Sequence, residues 1–329
     1  MKKDTINFKN NYFQILVLAF FSIIIGSSYP YLQYGIDGGL VLSGIVKYHD
    51  LNSPMVYYYL NSWTSIHQFS ALLLKIGLSV ENVSKILMII TTVFFSFGVF
   101  LFFFSLTNQK NLSLFIAITS IILGKNFGDT DYPSLVFSEH TYGMLSLASF
   151  TFVLGLIANK NILISCILVI VLISIHPIVG VWTFLIVTFC FYYSNTYNIY
   201  KKDIFRGVLL GIFIISSSFI FFYFNSIEKI PYDKFLFLNY LDNWDGHRGI
   251  SKVIHFEYVI KTLLLAVLCV LSLKKMFKSS SYSLHLQIVL FSLTCSLTLY
   301  LLFKLVPNIF PEFLKVIMPS RFIMLHTFL

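Results

Sequence analysis

Residues 162–195, ILISCILVIVLISIHPIVGVWTFLIVTFCFYYSN, decide the class of fold. Between Ile162 and Tyr193 there is no Asp, Glu, Lys or Arg, and the one interruption is the HPIVG stretch from His176 to Gly180. The hydrocarbon core of a bilayer is about 30 Å thick and a helix rises about 1.5 Å per residue, so a span needs roughly 20 mostly apolar residues. Proline removes a backbone donor and breaks a helix. The segment therefore reads as two apolar helices, 162–178 and 179–195, that turn at HPIVG.

The rest of the chain repeats this texture. Apolar runs cover 12–29, 86–106, 112–124, 142–158, 207–225, 258–273, 284–303 and 316–329. With 57 % hydrophobic, 18 % aromatic and 11 % charged residues and a mean hydropathy of +0.82, the composition is that of a polytopic membrane protein. The expected fold is an all-α transmembrane bundle of about ten spans, one transmembrane domain over residues 1–329. The runs at 112–124 and 162–178 are short and need flanking residues or local thinning of the bilayer to cross. The basic start and first apolar run are followed by no small-residue cleavage pattern, so they read as a retained first span. Cys166, Cys190, Cys269 and Cys295 all lie inside apolar runs, where cysteine behaves as a small hydrophobe. The net charge of +9 is scattered between hydrophobic runs rather than gathered on one soluble face, which argues against a nucleic-acid partner.

Charge orients the bundle. With a cytoplasmic N-terminus, the short inside segments hold Lys110, Lys160, the KKDIFR stretch at 201–206 and the KKMFK stretch at 274–278, as the positive-inside rule requires. The same topology leaves only Asp4 and Asp203 inside and puts every other acid at or beyond the outer boundary. Two outer loops are long. In the first, residues 30–85, Ser53-Pro54 is a helix-start signal. The segment TSIHQFSALLLKIG then sets Ile66, Phe69, Leu73 and Ile76 on one helical face, as in an amphipathic helix lying on the membrane surface. Reading residues 64–79 as a true span instead would invert the downstream loops against the positive-inside rule. The second long outer loop, 226–257, contains DNWDGHRG, with Trp244 as a stacking face for a sugar and Arg248 as a planar donor set for phosphate.

Chemistry-bearing residues thus fall on one expected face. In YGIDGG, Asp37 is placed to act as a general base, with Gly38 and Gly39 allowing close approach of substrate or backbone; the alternative is that Asp37 caps a helix beginning near Leu40. Asp129 and Asp131 can chelate a divalent cation through hard oxygen ligands, or form a solvated turn before Pro133. Glu139, next to His140, suits acceptor positioning or metal binding, or answers a helix dipole. His176 is a candidate substrate contact or a polar residue satisfying backbone carbonyls at its turn. Arg321, in MPSRF beside the last apolar run, calls for an anionic partner such as a lipid phosphate, or snorkels to the interface.

The arrangement of a cytoplasmic N-terminus, a first span, a long first outer loop with an early acid (Asp37 in YGIDGG), amphipathic segments, and a second outer loop with Asp129, Asp131 and Glu139 resembles the GT-C superfamily of integral-membrane glycosyltransferases. That resemblance implies a polyprenyl-phosphate or polyprenyl-pyrophosphate sugar donor and a glycan, lipid or protein acceptor. It also implies Asp37 as catalytic base, to which the residues themselves add Glu139 as a second carboxylate and His140, His176, Arg248 and Arg321 as substrate contacts. The setting it implies is a bacterial inner (plasma) membrane, with the active face periplasmic or extracellular. Asp37 is followed by Gly38 rather than a second acid, which leaves open whether a divalent cation at Asp129 and Asp131 is required. The chain ends at Leu329 within its last apolar run, the expectation being an N-terminal fragment of a longer protein. The competing class is a non-enzymatic protein of surface-polysaccharide assembly or lipid-linked glycan transport. A transporter is expected to carry ionisable residues at mid-membrane in broken, repeated helices, whereas here Lys261 and Lys304 stand near span ends.

Overall fold

A computed structural model describes residues 12–28, 36–47, 59–123, 141–225, 254–276, 280–306 and 309. Among them every regular element is a helix. In chain order these are α1 (Tyr12–Ser28), α2 (Asp37–Ser43), α3 (Ser65–Lys75), α4 (Val80–Thr107), α5 (Lys110–Leu123) and α6 (Thr141–Ala158), then α7 (Ile162–Ile175), α8 (Pro177–Tyr193), α9 (Thr196–Asn225), α10 (Phe256–Met276) and α11 (Ser280–Leu305). Each apolar run from 12 to 303 falls on a helix; the last, 316–329, lies outside the described residues, as does Ser53-Pro54. Four helices, α4, α9, α10 and α11, are long and apolar enough to cross a membrane, and α1, α5, α6, α7 and α8 are shorter apolar helices. About ten full spans is therefore finer than the described helices establish.

Local chemistry sets the helix ends. Ser79 caps α4 by accepting a hydrogen bond from the Asn82 backbone N–H at 3.2 Å, so the helix starts in the polar VENVSK segment, ahead of the apolar run itself. Asn108, in the left-handed region at φ 54°, ends it. The turn expected at HPIVG is present: His176 is extended (φ −146°, ψ 101°), as a residue before proline must be, and Pro177 opens α8 at the position where its missing N–H costs nothing. Helix α9 starts well before the apolar run at 207, with a kink at Tyr200. Lys201, Lys202 and Arg206, expected in a loop, lie on its first turns instead. Apart from the non-helical Tyr200 (φ −116°, ψ 21°), the TYNIYKKDIFR segment holds no Pro or Gly to stop a helix, and charged side chains on an exposed turn keep their hydration.

The chain forms two compact units, Met1–Leu185 with Asn195–Glu228, and Ile186–Ser194 with Lys229–Leu329. In the first, α4 is the central helix, packed against α1, α5 and α6, while α7 packs on α6 and α9. The packing runs through small and hydroxylated residues, as it must where lipid is as apolar as leucine. Ser22 of α1 meets Ser96 of α4 at 2.7 Å, and a side chain on Gly26 would stand 2.8 Å from the Ile89 Cα. Gly98 of α4 and Gly155 of α6 bring two backbones together, and Asn159 bridges them by donating to the carbonyls of Leu101 (2.5 Å) and Gly155 (2.8 Å). In the second unit α10 packs on α11.

Candidate functional site

Asp37 is the first residue of α2, not its cap. The N-cap position belongs to Ile36, which has no side-chain hydrogen bond to give, so the capping alternative does not hold. Gly44, at φ +80°, stops the helix by donating to the Val41 carbonyl at 3.0 Å. The Asp37 side chain is half-buried, and burial lifts its carboxyl above the ordinary value of 3.8.

The two glycines after it are contact residues. A Cβ on Gly38 would lie 2.5 Å from the His67 ring, and one on Gly39 would lie 2.5 Å from the Ser70 Cβ. Backbone approach is therefore what these glycines serve, and the partner is α3 rather than a substrate. Asp37 stands one residue from a helix-on-helix contact that only glycine permits.

Helix α3 differs from the sequence expectation in the face it buries. Its buried residues are Ile66, His67, Gln68, Ser70, Ala71 and Leu74, while Phe69 (39 % exposed), Leu72 (56 %) and Ile76 (67 %) point outward. A water-soluble pattern would do the reverse. In a membrane protein the outer surface is itself apolar, so the side chains that need hydrogen-bond partners turn toward the protein.

Several of those partners gather around His67. Its Nδ1 lies 2.8 Å from Ser62 Oγ and 2.8 Å from Thr64 Oγ1, and the two hydroxyls are 2.7 Å apart. Tyr59 meets the ring edge-on at 5.7 Å. Gln68 Nε2 donates to the Ser218 carbonyl of α9 at 2.9 Å, and Ser174 of α7 donates to Ser65 at 3.0 Å. Trp63 stacks on Phe219 of α9 at 4.9 Å. A buried polar layer therefore fixes α3 to α7 and α9, and α3 in turn carries α2 and Asp37.

Burial, and secondarily the charge of His176, lowers His67 to about 4. His67 is neutral at pH 7. As pH falls from 6.5 to about 4, the unfolded chain takes up a proton at this site that the folded chain refuses, so stability is lost across that window. The expected loss is roughly 3 kcal/mol. Thermal unfolding of the purified protein in neutral detergent at the two ends of the window measures it; His67→Gln should remove most of the difference.

Of the residues expected at a site, the structure describes two. Asp37 is on α2 as above, and half-exposed His176 sits at the α7–α8 turn, where its Nδ1 faces the Val179 N–H at 3.5 Å. His176 thus meets a backbone N–H at its turn and is close enough to oppose charge on His67. Asp129, Asp131, Glu139, His140, Arg248 and Arg321 lie outside the described residues. Among the described residues no cluster of three His, Cys, Asp or Glu side chains is arranged to hold a metal ion.

The sequence signal for Ser62, Thr64, His67 and Gln68, which apolar periodicity does not single out, is the density of hydrogen-bonding side chains in SWTSIHQFS. No family model, no curated protein and no solved structure matches the chain.

Proposed function

We propose that this protein is a membrane glycosyltransferase of the GT-C type, moving a sugar from a polyprenyl-phosphate or polyprenyl-pyrophosphate donor to a lipid, glycan or protein acceptor. The observation that carries the reading is Asp37. It is a half-buried carboxylate of raised basicity, held on a short helix that is seated on a buried hydrogen-bonded layer. A proton acceptor in such a setting is matched to a hydroxyl nucleophile better than a freely hydrated aspartate.

In the proposed reaction the acceptor hydroxyl gives its proton to the Asp37 carboxylate. The acceptor oxygen bonds to the anomeric carbon from the face opposite the carrier, and the carbon–oxygen bond to the phosphate breaks with its electron pair leaving on the phosphate. The stereochemistry inverts. Arg248 and Arg321 are assigned to the leaving phosphate, which as a dianion gains from planar, permanently charged donors, and Glu139 and His140 to the acceptor. Neutral His67 positions α2 and takes no proton. The active face is the outer one, by the distribution of basic residues along the chain.

The test is transfer by the purified protein in phospholipid vesicles supplied with a polyprenyl-phosphate sugar bearing a radiolabel in the sugar. The expected result is release of the carrier phosphate with label in a new acceptor. Saturable donor binding with no donor consumed across a panel of acceptors would favour the carrier-transport class over the enzyme.

A further inference from the structure

The second unit holds an arrangement that the proposed transfer does not use. The start of α10 lies beside the end of α11, because the His255 backbone N–H donates to the Tyr300 hydroxyl at 2.7 Å. The His255 ring also stacks on Tyr258 at 5.2 Å. Both tyrosines are 1 % exposed, so their rings are fixed. Each carries a lysine: Lys261 Nζ stands 5.6 Å from the Tyr258 ring centre and Lys304 Nζ 5.9 Å from that of Tyr300. Two cations therefore share one end of the helix pair, with Glu257 as the acid of the α10 first turn.

The positive-inside rule does not account for them. Lys274 and Lys275 stand at the opposite end of α10, the end expected to face the cytoplasm. Lys261 also lies past the first turn of the helix, about 8 Å along the axis from Phe256. It is exposed, on a helix whose apolar window is only 11 % buried. Around it Ile260, Leu264, Leu268 and Leu271 are all more than half exposed, a stripe that in a bilayer meets acyl chains. An ammonium on that surface reaches toward the headgroup layer and there meets phosphate.

We propose that Lys261 and Lys304, set over Tyr258 and Tyr300, form a headgroup site for an anionic phospholipid whose acyl chains lie along the Ile260–Leu264–Leu268–Leu271 stripe of α10. Charge complementarity selects the occupant: among the described residues two lysines stand against one acid, which favours a net-negative headgroup over a zwitterionic one. The site is independent of the sugar-transfer reading, since none of its residues belongs to that chemistry.

The experiment is lipid retention by native mass spectrometry, with the full chain extracted from vesicles of equal parts phosphatidylglycerol and phosphatidylcholine. The wild type should retain phosphatidylglycerol preferentially, and the Lys261→Gln/Lys304→Gln pair should lose that preference by roughly 10- to 30-fold, the equivalent of two surface lysine contacts. Lys201→Gln/Lys202→Gln, which removes the same charge from α9, should leave it unchanged. Equal retention of the two lipids by the wild type, or the same loss from both charge pairs, overturns the proposal. Unfolding midpoints in neutral detergent separate a misfolded variant from one that has lost a site, and in that event Lys261→Met, which keeps the stem and removes the charge, supplies the reading.

Discussion

Asp37→Asn is expected to lower sugar transfer by about 10²- to 10⁴-fold, the usual contribution of a positioned general base, without unfolding the protein. The amide keeps the shape of the carboxylate and cannot hold the acceptor's proton. The fold does not depend on the charge: the N-cap position of α2 belongs to Ile36, and α2 is seated by Gly38 and Gly39. The pH linkage has a definite sign. Burial raises the Asp37 carboxyl above 3.8, so the folded state binds this proton more tightly than the unfolded chain does. Stability from this group is fully present below the unfolded value and lost as pH rises through the folded one. At neutral pH the wild-type carboxylate is thus a small burden on folding that asparagine lacks. Unfolding midpoints of the variant in detergent should equal or slightly exceed those of the wild type, while transfer collapses. Loss of transfer together with loss of the fold would instead make Asp37 structural.

Gly98→Leu is expected to produce the largest loss of stability. A Cβ at Gly98 would stand 2.6 Å from the Phe152 nitrogen and 2.6 Å from the Thr151 carbonyl carbon, and one at Gly155 would stand 2.5 Å from the Gly98 oxygen. These neighbours are backbone, which cannot rotate aside, so α4 and α6 have to separate. Overpacking of this kind costs about 1–3 kcal/mol for a small addition and more for a large one. Separation also breaks the Asn159 bridge to Leu101 and leaves one of the two bonds of a buried amide unmade. Denaturant titration in mixed micelles should place Gly98→Ala at the lower end of that range and Gly98→Leu beyond it. Gly143→Ala, where an added methyl meets nothing within 4 Å, is the matched control.

Much of the fold was legible because a bilayer demands long apolar helices, and a sequence shows those directly. The runs from 12 to 303 all became helices, and the HPIVG stretch became a break because its proline dictates one. The side on which each helix packs was far less legible. Periodicity put Ile66, Phe69, Leu73 and Ile76 of α3 together as an apolar face, but in a membrane the apolar face and the buried face are not the same thing. The structure buries Ile66 and packs Leu73 against the core, but it turns His67, Gln68 and Ser70 inward as well and leaves Phe69 and Ile76 outside. Gly38 and Gly39 were read correctly as sites of close approach, yet only the three-dimensional contact identifies the approaching group as His67 and Ser70. Asp129, Asp131, Glu139, Arg248 and Arg321 were legible as residue types alone, and they lie outside the described residues.

If the Asp37 carboxylate accepts the acceptor's proton, the pH dependence of transfer will report it. With kcat/KM measured for a polyprenyl-phosphate sugar in vesicles, the wild-type rate should fall about tenfold per pH unit below an apparent pKa higher than that of a hydrated aspartate. The small residual rate of Asp37→Asn should lack that acid limb. Transfer by Asp37→Asn at the wild-type rate, or an acid limb that persists unchanged in the variant, would contradict the assignment.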